Sequence, residues 1–73
     1  MNMHFVGYCT HEQACRIDTK KLELELSAID RRANLIFARA KGRGAIFVEC
    51  NSSPEECTAA VEAQAGRLGI NLT

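Results

Sequence analysis

The sequence predicts a small α+β domain in the order strand, helix, strand, helix, and three observations carry that reading. Two short runs rich in aromatic and branched residues, "HFVGYC" at 4–9 and "AIFVEC" at 45–50, read as strands. Each is followed at once by a helix-start signal, Thr10 with Gln13 in the first case and Ser53 with Pro54 in the second. Between them Leu22, Leu26, Ile29, Ala33, Ile36 and Ala40 recur at intervals of 4, 3, 4, 3 and 4, the apolar stripe of a helix.

Taken in order, the first strand ends at Cys9, and Thr10 stands three before Gln13 in the spacing of a capping box. A helix is therefore expected from about His11. The long middle segment, 19–41, is read as one amphipathic helix. Leu, Glu, Lys, Ala and Arg dominate it, Arg31, Arg32 and Arg39 fall opposite the apolar stripe, and Gly42 supplies the stop. Its rival is an antiparallel β-meander with a C-terminal helix. In that arrangement "LELELSAI", "LIFARA" and "AIFVEC" are strands, the last two joined through "KGRG". The last helix opens at "NSSPEEC", with Ser53 as N-cap, Pro54 in the first turn and Glu55 and Glu56 facing the positive helix end. It buries Cys57, Ala60, Val61, Ala65 and Leu68 and ends between Gly66 and Gly69. "INLT" closes the chain as a tail or a short edge strand.

At 73 residues the chain is a single domain, 1–73. A chain of that size buries only about 60% of its unfolded surface and commonly needs a disulfide, a metal or a partner. A single helix over 19–41 would be roughly 35 Å long, more than so small a monomer covers. Either the helix breaks near "LSAID", where Ser27 and Asp30 can form a second cap, or its exposed part packs against another copy. A homodimer is expected, with Leu22, Leu26, Ile29, Ile36 and Phe37 as its contacts. No apolar run approaches the roughly 18 residues of a membrane span, and "MNMHFVGYC" lacks the pattern of a secretory signal. The cytoplasm is the expected compartment, with reduced thiols.

The formal net charge is zero, yet residues 31–43 hold Arg31, Arg32, Arg39, Lys41 and Arg43 and no acid. That basic stretch is the expected partner-binding surface. A protein with an acidic face is the favoured occupant, nucleic acid the second, because tryptophan is absent and there is one tyrosine for stacking. "KGRG" is too short for a phosphate loop, two histidines give no catalytic triad, and neither catalysis nor a cofactor is expected.

The four cysteines support a competing reading as a metal-binding or redox protein. "FVGYCTHEQAC" and "FVECNSSPEEC" each place one cysteine at a strand end and one in the following turn of helix. Parallel pairing of the two strands would bring Cys9, Cys15, Cys50, Cys57 and His11 to one edge. The five and six residues between paired cysteines exceed the usual zinc-ligand spacing, however, and buried free cysteine packs as a small hydrophobe. The repeated pattern is read as one strand-to-helix turn used twice, with no metal site.

Overall fold

The computed structural model describes residues 2–73, with Ala40 described through its backbone alone. Six elements follow one another: β1 (Asn2–Cys9), α1 (His11–Arg16), α2 (Thr19–Ile29), β2 (Asn34–Ala40), β3 (Arg43–Cys50) and α3 (Pro54–Arg67). The strands form one antiparallel sheet in the order β1-β3-β2. β1 and β2 thus point the same way with β3 between them, a split β-α-β arrangement. The result is a small mixed α+β domain with principal extents of 30 × 23 × 17 Å.

The local signals act where they were expected. The Thr10 hydroxyl accepts from Gln13 N at 3.0 Å, and the Gln13 amide oxygen accepts from Thr10 N at 3.0 Å, so both halves of the capping box form. Asp18 opens α2 by accepting from Lys21 N at 3.1 Å. α3 begins at Pro54 behind Ser53, but Ser53 sits at φ 59 and makes no side-chain cap bond. The position was right and the capping contact is not made. Arg16 Nη2 donates to Leu68 O at 2.9 Å, tying α1 to the far end of α3.

The single helix over 19–41 is not formed. α2 stops at Ile29, and Asp30 N donates back to Leu26 O at 2.8 Å. The Asp30 carboxylate accepts from Arg32 N, Asn51 N and Ser52 N at 3.0, 2.9 and 2.9 Å. These bonds fasten the end of α2 to the end of β3 and turn the chain into β2. Residues 34–40 then gain more as a strand, because β2 satisfies the second edge of β3. Lys41 (φ 51) and Gly42 (φ 75) form the two-residue turn, both in the left-handed region that tight hairpins between twisted strands require. The meander alternative therefore describes "LIFARA" and "AIFVEC" correctly and "LELELSAI" wrongly. Leu22 and Leu26, four apart, are completely buried, whereas Leu24 is 73% exposed, which is helical rather than alternating burial.

All three helices lie on one face of the sheet. Ile46, Val48 and Cys50 of β3 meet Leu22 and Leu26 of α2 and Cys57, Val61 and Ala65 of α3 in one core cluster. The register of β1 slips between Phe5 and Gly7. This bulge keeps Phe5, opposite Phe47, and Tyr8, opposite Ala45, on the same face although they are three residues apart. The tail after α3 runs back past β1. Thr73 N donates to Tyr8 O at 3.0 Å, and a Cβ on Gly7 would come within 2.8 Å of the Leu72 Cβ. Glycine at that position is what admits the tail.

Candidate functional site

The basic stretch expected to act as one surface is divided by the fold. Arg31 and Arg32 lie in the exposed turn between α2 and β2, whereas Arg39, Lys41 and Arg43 surround the hairpin at the other end of β2. The strand between them sets the two groups on the order of 20 Å apart. Their grouping on one face required the continuous helix, and the break at Asp30 removes it. At the hairpin end, Arg39 Nη2 meets His11 Nε2 at 3.5 Å, and the Arg43 guanidinium carbon lies 6.0 Å from the Tyr8 ring centroid.

The expected dimer contacts are redistributed in the same way. Leu22 and Leu26 have no exposure and belong to the core of the monomer, and Ile29 packs against that core. They do not form an outward seam. Ile36 pairs with Phe47 on the side of the sheet away from the helices. Phe37 pairs with Ile46 and faces a groove of about 450 Å³ between α1 and β2, lined also by His11, Ala14, Cys15 and Arg39.

Antiparallel pairing separates the cysteines as well. Cys9 lies opposite Gly44 and Cys50 opposite Asn2, at opposite ends of the sheet. The shared edge that a four-cysteine site needs is therefore not built. Among the described residues no group of three or more His, Cys, Asp and Glu side chains is placed to hold a metal ion. Cys9, Cys50 and Cys57 are buried and free, and Cys15 is exposed and free. Burial pushes the Cys57 thiol up to about 11, aided by neighbouring Cys50 and by the charge of Asp30, and burial also raises Cys9. Such thiols stay protonated near neutral pH and are poor nucleophiles. His11 and Cys15 line the same groove, and no hydrogen bond joins them among the described residues.

The surface that sequence reasoning missed is the uncovered face of the sheet. Phe5 and Phe47 pack edge to face with ring centroids 5.4 Å apart, and Phe5 and Tyr8 lie 4.8 Å apart. Met3 and Phe5 are 56% and 46% exposed, and Tyr8, Ile36 and Phe47 are half-buried beside them. Three of the four aromatic residues thus share one face that no helix covers. Arg43 stands at one end of this face and Glu49 at the other, and neither makes an ion pair among the described residues. A sequence signal for this face stands in the unbroken apolar run 45–48, "AIFV", whose second set of side chains has no helix to meet. No helix among the described residues is long and apolar enough to cross a membrane. Comparison with protein-family models, with curated proteins and with solved structures finds no match to this chain.

Proposed function

We propose that this chain is a non-enzymatic interaction module that binds a protein partner through the open face of its sheet. The observation that carries the reading is the exposed cluster of Phe5, Tyr8 and Phe47 with Met3 and Ile36. A contiguous apolar patch framed by polar residues is the mark of an association surface, and aromatic side chains supply most of the energy at such contacts. The basic segment survives in this reading only at its hairpin end, where Arg43 borders the patch and Lys41 adds charge. A protein is favoured over a nucleic acid because the face carries one cation and one anion. Its phenyl rings also stand at 61° to each other, so they offer no parallel platform for bases. Four free thiols fit work in a reducing compartment such as the cytoplasm.

A photo-crosslinking amino acid placed at Phe5, and separately at Leu24 on the helical side, tests this directly. Leu24 is the more exposed of the two at 73%, so it controls for random collision. Crosslinking in the producing cells should give a discrete protein adduct from position 5 and none from position 24. Equal labelling from both positions, or salt-sensitive capture of a single-stranded oligonucleotide at position 5, overturns the proposal.

A further inference from the structure

We infer that the partner on the open sheet face is a second copy of this chain, stacked face to face with its strands antiparallel. The inference rests on the open face being the contact surface, and its support is the order of charges and side-chain sizes along the strands.

β3 turns Arg43, Ala45, Phe47 and Glu49 toward the open side, an order that runs cation, small, large, anion, with Ala45 at 2% exposure forming the floor of the face beneath its neighbours. A two-fold axis crossing β3 at right angles near residue 46 sets Arg43 of one copy against Glu49 of the other. The same axis sets Phe47 against Ala45. On β2, Ile36 lies level with Phe47 and Ala38 level with Ala45. Ile36 therefore also meets a small residue, Ala38, of the facing strand. On β1, Phe5 lies level with Phe47 and Tyr8 level with Ala45, so the two aromatic side chains cross-pack. On β3 and β2 the large groups, Phe47 and Ile36, thus each lie over a small one, as interdigitating sheets require.

The alternative two-fold, parallel to the strands, sets Arg43 on Arg43, Glu49 on Glu49 and Phe47 on Phe47. Like charges directly opposed and large groups colliding are both unfavourable, so charge and size select the same register. The two ends of the patch in one copy are about 20 Å apart, too far for Arg43 and Glu49 to satisfy each other within a monomer.

The patch has a plan area of roughly 300 Å², from three strands about 4.8 Å apart and about 7 residues long. Two such faces with their side chains bury on the order of 1,000 Å² in total, the lower limit for specific association. A dimer in the micromolar range is expected, not an obligate one.

Sedimentation equilibrium across about 1 μM to 1 mM, with far-ultraviolet circular dichroism to verify folding, decides the matter. The untouched protein should dimerise, and Arg43→Glu or Glu49→Arg alone should weaken dimerisation at least about tenfold, since each creates two like-charge contacts. The double variant R43E/E49R should recover to within about threefold of the parent. A parent that stays monomeric throughout, or single charge reversals without effect on its dimerisation, overturns the inference. In either of those cases position-specific crosslinking at Phe5 to a different protein still upholds the open-face reading, so the two claims fail separately.

Discussion

The two faces of β3 are built from the same eight residues and behave as different materials. On the helix side, Ile46, Val48 and Cys50 are aliphatic or small and have exposures of 0%, 0% and 1%. On the open side, Phe47 and Glu49 are half-buried and Arg43 is exposed. A sheet face that is merely solvated carries polar side chains in alternation with the core. This one carries phenylalanine and tyrosine inside a frame of opposite charges. The difference teaches that the domain completes one core by itself and leaves a second, shallower one half made.

Substitutions can break that contrast from either side. The largest effect is expected from Leu26→Ala in the covered core. Leu26 is fully buried between α2 and the sheet, so urea denaturation should register a loss of about 3 kcal/mol. In a domain this small that is a large share of the total stability.

Next comes Asp30, which closes the helical side by accepting three backbone N–H groups. Those hydrogen bonds, from Ser52, Arg32 and Asn51, hold its carboxyl below the usual carboxylate range. A lowered folded value means that the stabilisation is present above the unfolded pKa of about 3.9 and is lost as pH falls through the folded value. Asp30→Asn should lower Tm at pH 7 and flatten the fall in Tm between about pH 4 and 2, as followed by circular dichroism. An unchanged acid limb would show that the carboxylate does not hold the turn.

A smaller change of opposite sign is expected at Gln64. It lies on the buried side of α3 at 5% exposure, and neither atom of its amide has a hydrogen-bond partner among the described residues. Gln64→Met keeps the volume and removes the uncompensated desolvation, so stability should rise by about 1 kcal/mol. The smallest effect on the fold belongs to the open face. Phe47→Ser should change urea stability by no more than about 1 kcal/mol while abolishing association, the reverse of the Leu26→Ala pattern. Equal loss from both substitutions would mean that the open face is ordinary core.

What the sequence made legible was local. The capping box at Thr10 and Gln13, the α3 start at Pro54 and the strands β1 and β3 are announced by residues close to one another in the chain. The break at Asp30 falls at "LSAID", the point where the sequence offers one, but what fixes it there is Asn51 and Ser52, 21 and 22 residues away. Residues 22–40 satisfy a helical spacing and contain alternating stretches too, so a long-range hydrogen-bond cluster had to choose between them. The basic stretch is divided between the two ends of β2 for that reason. The aromatic face was hidden more deeply, since Phe5 and Phe47 become neighbours only when β3 inserts between β1 and β2. Tyr8 joins them only through the bulge at Phe5/Gly7.

The distribution of the four thiols gives the molecule an internal clock. Cys15 stands in solvent, while Cys9 closes β1, Cys50 closes β3 and Cys57 sits in the first turn of α3, all three sealed. An alkylating reagent therefore adds one label at the rate of simple thiol chemistry. Each later label waits for the fold to open, and Cys50 and Cys57, neighbours in the core, share one opening. Peptide mapping of the later labels then ranks the opening of the hairpin end, at Cys9, against that of the opposite end, at Cys50 and Cys57, with no mutation introduced.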